Sequence, residues 1–189
     1  MGNVLVVLAE GFEEIEAVTV IDTLRRADIS VKTMSITGEK EVTGGHGISV
    51  KADIFLKDGI NIEETDMIVL PGGMGGRDNM AASVELTDLI RKLLEEGKRV
   101  AAICAGPTVL GRLGALEGVE CLCYPDPGLE SELKGRTVPK GNARTITDGN
   151  FTTSMGPATA MEFGLELVSV LKGKEAAAGI AAGMLYNNK

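Results

Sequence analysis

Residues 100–110 have the sequence Val100-Ala101-Ala102-Ile103-Cys104-Ala105-Gly106-Pro107-Thr108-Val109-Leu110, which predicts a buried strand that turns sharply into a helix. Small residues on either side of the cysteine give the pattern small-x-Cys-x-Gly. This is the cysteine counterpart of the small-x-Ser-x-small elbow, which exposes a nucleophile above a sheet. Pro107 suits the first turn of a helix, where no amide donor is needed. We therefore predict a nucleophile elbow with Cys104 at its corner.

The residues alone leave two interpretations of Cys104 open. The unpaired amides and positive end of the following helix would favour a thiolate and lower the thiol pKa below its free value of about 8.5. Free cysteine is also among the most buried residue types, so Cys104 could instead be a small core residue. The flanking small residues favour the reactive interpretation, because core packing gives no other reason for them.

Apolar runs alternate with longer amphipathic stretches on both sides of this elbow, which is typical of βαβ units and a mostly parallel sheet. We expect one doubly wound α/β domain over residues 1–189, with helices on both faces. The predicted strands are Asn3–Ala9, Ser30–Ile36, Asp66–Leu70, Arg99–Ile103 and Val119–Cys123. The predicted helices are Glu14–Ala27, Asn79–Glu96, Pro107–Leu113, Pro157–Leu171 and Lys174–Met184. A glycine-rich hairpin is predicted at Glu41–Lys51, and short strands around an Asp148-Gly149 turn at Arg136–Ser154.

Composition narrows the classes of partner. The 189 residues are 44% hydrophobic, which suits a single domain, and the formal net charge of -8 without a basic cluster argues against nucleic-acid binding. The apolar run Val4–Ala9 is stopped by Glu10 and has no basic flank, so it predicts a strand and not a signal peptide. No stretch is long enough to cross a membrane. We expect a cytoplasmic protein with small-molecule or protein partners.

Three cysteines cannot all pair within one chain, and without an export signal we interpret them as free thiols. Cys121 and Cys123 are two residues apart in a predicted strand and should share one face. His46 is the single histidine, so no zinc-type ligand set can be assembled around them. We predict that both cysteines pack in the core and that the protein uses no metal.

Glu16 is the second candidate functional residue. Steps of four place it in line with Val20 and Leu24 on the buried stripe of the first helix. Burial would raise its pKa, and a protonated acid beside a thiolate could stabilise that thiolate and serve as general acid and base. A capping role is the alternative, and favourable interaction with the helix dipole accounts for Glu13 and Glu14. The outward-facing positions of this helix are predicted to be Thr19, Asp22, Thr23 and Arg26.

The loop Leu70-Pro71-Gly72-Gly73-Met74-Gly75-Gly76 follows the third predicted strand. It has neither a following Lys-Ser or Lys-Thr nor the G-x-G-x-x-G spacing, so nucleotide binding is disfavoured. Its glycines let backbone amides approach a ligand and, with the Ala105 amide, could form an oxyanion hole; a flexible turn is the alternative. Loops that follow parallel strands meet at one edge of the sheet, so this loop, Glu16 and Cys104 should open on one crevice.

Four motifs together resemble the DJ-1/ThiJ/PfpI superfamily, and its DJ-1 branch in particular. They are Glu13-Glu14-Ile15-Glu16, Leu70-Pro71-Gly72-Gly73, Ala101-Ala102-Ile103-Cys104-Ala105-Gly106-Pro107 and Thr153-Ser154-Met155-Gly156-Pro157-Ala158-Thr159. The resemblance covers essentially the whole chain and implies a flavodoxin-like homodimer. It implies that Cys104 is the nucleophile and oxidation-sensitive thiol, that Glu16 is its protonated partner, and that the amides of Gly73 and Ala105 are oxyanion donors.

The activities that the resemblance implies include glyoxalase-type hydration of methylglyoxal to lactate without metal or organic cofactor, protein deglycation, and chaperone or oxidative-stress roles. Protease activity belongs to another branch. Two hypotheses therefore stay open. An enzyme would act on a small dicarbonyl through a Cys104 hemithioacetal, with Glu16 moving the proton. A non-enzymatic redox sensor or chaperone would need only an oxidisable Cys104.

One departure from the family pattern is Tyr124-Pro125, where several members have histidine before proline. We predict that Tyr124, Gly156 and Pro157 line the pocket. If Tyr124 faces the site, alternation along the strand turns Cys121 and Cys123 away from it. The resemblance places the hairpin around His46 and the position of Arg26 near the dimer interface. We predict that both line the mouth of the partner's pocket and favour anionic or polarised carbonyl ligands, with a solvated loop as the alternative for His46.

Overall fold

A seven-stranded sheet forms the centre of the computed structural model, which describes residues 3–137 and 143–186. The strands are β1 Asn3–Leu8, β2 Ser30–Ser35, β3 Glu41–Thr43, β4 Ser49–Lys51, β5 Ile54–Phe55, β6 Met67–Leu70, β7 Arg99–Ile103, β8 Glu120–Cys121, β9 Arg136–Thr137, β10 Thr145–Asp148 and β11 Phe151–Ser154. The helices are α1 Glu14–Arg26, α2 Met74–Ala82, α3 Val84–Glu95, α4 Pro107–Arg112, α5 Pro127–Leu133, α6 Ala160–Lys172 and α7 Lys174–Gly183. Two short 3-10 helices lie at Leu56–Asp58 and Pro157–Thr159.

The strand order of the central sheet is β10-β11-β7-β6-β1-β2-β5. Neighbouring strands run parallel except at the edge pair β10 and β11. The five strands from β2 to β11 therefore follow the doubly wound order of a flavodoxin-like fold, and the prediction of a mostly parallel α/β sheet is confirmed. The hairpin β3-β4 and the pair β8-β9 form separate two-stranded sheets.

The two faces of the sheet are covered by different helices, which explains why the central strands are apolar throughout. One buried cluster joins the sheet to α2, α3, α4 and α5, and the other joins it to α1 and α6. The Cys104 side chain packs against both clusters. None of the described helices is both long and apolar enough to span a membrane.

Most predicted elements are confirmed to within a few residues, but two are corrected. The predicted helix Asn79–Glu96 is two helices separated at Ser83, whose side chain accepts a hydrogen bond from the Leu86 amide at 3.2 Å and so caps α3. The predicted strand Val119–Cys123 is shortened to Glu120–Cys121 and lies outside the central sheet. Residues 138–142 of the predicted Arg136–Ser154 segment lie outside the described residues.

Thr23 was predicted to face outward and is instead fully buried, so that prediction is wrong. Its hydroxyl donates to the Thr19 carbonyl at 2.7 Å, which satisfies the polar group within α1. The side chain packs against Gly164 of α6, where an added Cβ would lie 3.1 Å from the Thr23 hydroxyl oxygen. The glycine therefore allows α1 and α6 to approach closely.

Candidate active site

The chain turns sharply at Cys104, between the end of β7 and the start of α4. Cys104 has φ of 62°, a left-handed conformation that is uncommon outside glycine. Its amide donates to the Ser154 carbonyl at 3.0 Å, and its carbonyl accepts from the Tyr124 amide at 2.9 Å. A Cβ at Gly106 would lie 2.5 Å from the Leu70 carbonyl oxygen, so only glycine fits there. The local sequence thus produces a strained elbow that carries the thiol.

Glu16 is fully buried on α1 and lies beside this thiol. Its Oε2 accepts a hydrogen bond from the Gly72 amide at 2.7 Å. Its Oε1 is buried and accepts no hydrogen bond among the described residues, and the Cys104 thiol interacts with the carboxyl side chain. A Cβ at Gly72 would lie 2.6 Å from the Cys104 Cβ and 2.7 Å from Glu16 Oε2. The absence of a side chain at Gly72 therefore brings the acid and the thiol together.

Burial dominates the ionisation of both groups. It raises the pKa of Glu16 to about 7, although the Gly72 amide and the Cys104 thiol oppose the shift. Burial and the neighbouring Glu16 carboxylate raise the pKa of the Cys104 thiol to about 12, although the amides of Gly73 and Ala105 lower it. The expectation of a lowered thiol pKa is therefore wrong, because the helix-terminal amides are outweighed by burial and by the adjacent acid.

Gly73 and Ala105 direct their backbone amides at the sulfur. Gly73 precedes the first residue of α2 and has φ of 85°, and a side chain there would collide with the Gly11 carbonyl. Ala105 is buried directly after the elbow. Donors aimed at the same point from two different loops are the arrangement that stabilises a developing oxyanion.

The thiol opens on a cleft of about 530 Å³. Of the residues predicted to line the pocket, Tyr124 and Pro157 do so, whereas Gly156 does not. A Cβ added at Gly156 would lie 3.3 Å from the Tyr124 ring. Neither Arg26 nor His46 lines this cleft within the chain. The lining residues are Glu13, Gly73, Met74, Arg77, Cys104, Ala105, Tyr124, Asp126, Gly128, Leu129, Glu132 and Pro157.

Sequence reasoning missed a charged network in the wall of this cleft. Arg77 on α2 is 5% exposed, and its Nη1 donates to both carboxylate oxygens of Glu132 at 3.1 Å. Its Nε lies 2.9 Å from an Asp78 oxygen, at an angle that makes no hydrogen bond. Glu132 also accepts from Arg112 at 2.6 Å. The partners are 55 and 20 residues away from Glu132, so no local pattern could indicate them.

The other missed element is α5, which contributes Gly128, Leu129 and Glu132 to the lining of the cleft. Asp126 caps this helix, and its side chain accepts from the amides of Gly128 at 2.9 Å and Leu129 at 3.2 Å. Pro127 occupies the first helical position. An aspartate followed by proline is a recognised helix start, so this signal was present in the sequence.

His46 and Glu14 fasten the hairpin to the start of α1. Glu14 accepts from the His46 amide at 2.7 Å, from the Ile48 amide at 3.3 Å and from His46 Nδ1 at 2.9 Å. Burial raises the Glu14 pKa, but these hydrogen bonds outweigh it and lower the pKa to about 2. The bond to Glu14 and the Glu13 charge raise the pKa of His46. Glu14 thus holds the hairpin in place, in addition to its expected interaction with the dipole of α1.

Three further predicted positions lie away from the thiol. Arg26 is exposed on α1 and pairs with Asp22 at 2.7 Å. Cys121 and Cys123 are buried in the core cluster, whereas Tyr124 is 48% exposed. Core packing of these two cysteines is therefore confirmed.

The chain belongs to the DJ-1/PfpI family, whose family model matches residues 2–170. It is 36% identical over 187 residues to protein dj-1beta of Drosophila melanogaster, with 98% of each chain covered. It is 34% identical over 170 residues to a protein of Pyrococcus horikoshii named deglycase, covering 90% of this chain and 99% of that one. The structure of oxidized Toxoplasma gondii DJ-1 aligns with a TM-score of 0.88 and 39% identity, covering 98% of this chain and 99% of that one.

Proposed function

We propose that this protein is a cofactor-independent enzyme of reactive dicarbonyls, of the glyoxalase or deglycase type, in which the whole chain acts as one domain. Methylglyoxal is the model substrate and lactate the product. Cys104 is the nucleophile and Glu16 the proton carrier, and the amides of Gly73 and Ala105 bind the carbonyl oxygen. The relative named deglycase supports an activity of this class.

The observation that carries the proposal is the Glu16–Cys104 pair at the strained elbow. A thiol with a pKa of about 12 is a poor nucleophile by itself near neutrality. A carboxyl with a pKa of about 7 is well matched to accept and return a proton at that pH. The pair follows the general rule of a nucleophile activated by an adjacent base.

The steps follow from this geometry. The sulfur attacks the aldehyde carbon while Glu16 takes the thiol proton and passes it to the carbonyl oxygen, which gives a hemithioacetal. Glu16 then removes the proton from that carbon, and the electron pair moves onto the neighbouring ketone to form an enediol. Return of a proton to the second carbon, with loss of the hydroxyl proton from the first, gives a thioester. Water hydrolyses the thioester to lactate and regenerates the thiol.

The second candidate is a redox role for the same sulfur. Cys104 is half-buried at the cleft, whereas Cys121 and Cys123 are 0% and 4% exposed, so an oxidant in solution reaches Cys104 most easily. An oxidised sulfur would face the same amides and acid.

A homodimer is part of the proposal. Several large apolar side chains are exposed on the outer face of α1, on the hairpin and at the start of α2, and a partner subunit would bury them. They are Ile15, Val18, Ile48 and Met74. A role for the partner's Arg26 and His46 at the cleft mouth stays a prediction.

The test is lactate formation from methylglyoxal by purified protein, measured as lactate because adduct formation alone consumes the dicarbonyl. We expect turnover in the native protein and in a Cys121→Ala control, and loss of turnover in Cys104→Ala. Glu16→Gln should release lactate at least about 100-fold more slowly, since general acid–base catalysis contributes on that order. Lactate formation that survives in Cys104→Ala would refute the enzymatic role of this cysteine.

A further inference from the structure

The charges around the Cys104 cleft are unevenly balanced. Its lining contains three carboxylates, Glu13, Asp126 and Glu132, and one guanidinium, Arg77. The network Asp78, Arg77, Glu132 and Arg112 is internally neutral, with two acids and two bases in contact. The cleft therefore keeps two carboxylates, Glu13 and Asp126, outside that network.

Neither of these carboxylates is paired with a lysine or arginine in the part of the chain that the structure describes. Glu13 has one cationic neighbour, His46, at 3.6 Å, and that imidazole is bonded more closely to Glu14 at 2.9 Å. Asp126 accepts only backbone hydrogen bonds, from the start of α5. Both carboxylates therefore project a negative potential into the cleft.

The two cationic residues predicted for the mouth of the cleft would bring their own counter-charges. Arg26 is paired with Asp22 at 2.7 Å, and His46 is paired with Glu14. If a partner subunit presented either pair at the cleft, the added charge would be close to zero. The excess of negative charge from Glu13 and Asp126 would remain.

We infer that Glu13 and Asp126 set the charge specificity of the Cys104 cleft. Building on the proposed function, its substrates are carbonyl compounds that are neutral or carry a cationic group, and compounds that carry a carboxylate or phosphate are disfavoured. This preference is opposite to the anionic ligands expected from the sequence. For a charged group about 8 Å from a carboxylate across a solvated cleft, each carboxylate raises the rate for a cation relative to an anion by about threefold. Two carboxylates together give about tenfold.

The test uses thiol reagents that require no turnover. Methanethiosulfonates that carry a trimethylammonium, a neutral methyl or a sulfonate group transfer their thioalkyl group to Cys104 and release methanesulfinate. Each rate is divided by the rate for a small free thiol, and Cys104→Ala provides the blank. We expect the cationic reagent to exceed the anionic one by about tenfold in the native protein at moderate ionic strength.

Charge-neutral variants locate the effect. Glu13→Gln with Asp126→Asn should reduce the cation-to-anion ratio to near that of the free thiol, and asparagine keeps the helix cap. The matched control, Glu85→Gln with Glu95→Gln, removes two exposed charges on α3 and should keep the ratio. A native ratio equal to that of the free thiol, or a ratio unchanged in the cleft variant, would overturn the inference. The reagents measure only how charge affects reaction with the Cys104 thiol. A protein with a tenfold ratio but no lactate formation would therefore contradict the proposed enzyme and not this inference.

Discussion

Replacing Glu16 by glutamine should change how the folding stability depends on pH. The pKa of this buried carboxyl is raised from 4.5 to about 7 in the folded protein, mainly by burial. A raised folded-state pKa means that the folded chain binds the proton more tightly than the unfolded chain. The resulting stabilisation is fully present below pH 4.5 and is lost as the pH rises through 7.

The size of this effect follows from the two pKa values. A change from 4.5 to about 7 corresponds to about 3 kcal/mol of stability lost by the native protein between acid and mildly alkaline pH. The glutamine in Glu16→Gln does not ionise, so the variant does not lose this stability. Between pH 4 and pH 8, the native protein should therefore lose about 3 kcal/mol of stability relative to the variant.

Urea unfolding of both proteins at fixed concentration from pH 4 to 8 measures the difference directly. The Glu14 contact, whose contribution weakens in acid because the pKa of that carboxyl is lowered to about 2, is present in both chains and cancels. Glu85→Gln, on the exposed face of α3, serves as the control and should show no such trend. A stability difference between Glu16→Gln and the native protein that stays constant over this range would show that the carboxyl titrates normally.

Three further outcomes are expected. Gly164→Ala should lower the stability by about 1 to 2 kcal/mol, and with it the thermal midpoint, because the new Cβ would lie 3.1 Å from Thr23 of α1. Gly179→Ala is the control, because its Cβ would meet nothing within 4 Å on α7, and it should raise the midpoint. Glu14→Gln should lower the pKa of His46 toward 6.5, since the carboxylate favours the imidazolium, and an unchanged NMR titration would show that the contact is absent in solution. Mild peroxide should modify Cys104 before the two buried cysteines, and peptide mapping that finds either of those first would contradict the accessibility argument.

The elbow could be predicted because its determinants are local. Small residues around Cys104 and a proline at the helix start carry the turn, and the buried stripe of α1 carries Glu16. The beginning of α2 could not be predicted, because Gly75 and Gly76 disfavour a helix. Tertiary packing explains them, since a Cβ at Gly76 would lie 2.8 Å from the Phe12 Cα.

The electrostatics of the site depend on distant residues and were predicted only in part. The raised pKa of Glu16 follows from its buried position on a helix, which periodicity shows. The thiol pKa depends on the sum of burial, the acid and two amides from different loops. The sequence indicates the acid and the amides, but it does not show which contribution is larger. The helical period predicted that Thr23 faces outward, although a threonine can bond its own helix and face a glycine on another.

The left-handed backbone at Cys104 makes this position adverse for any residue with a β-carbon. Such a conformation costs about 1 to 2 kcal/mol for residues other than glycine. Glycine should therefore be tolerated better than alanine here, which reverses their usual ranking, and the denaturation midpoint of Cys104→Gly should exceed that of Cys104→Ala. Stability alone would select a residue with no side chain at the corner of the elbow. The thiol at this position therefore makes the fold less stable than glycine would, and its presence is explained by reactivity and not by stability.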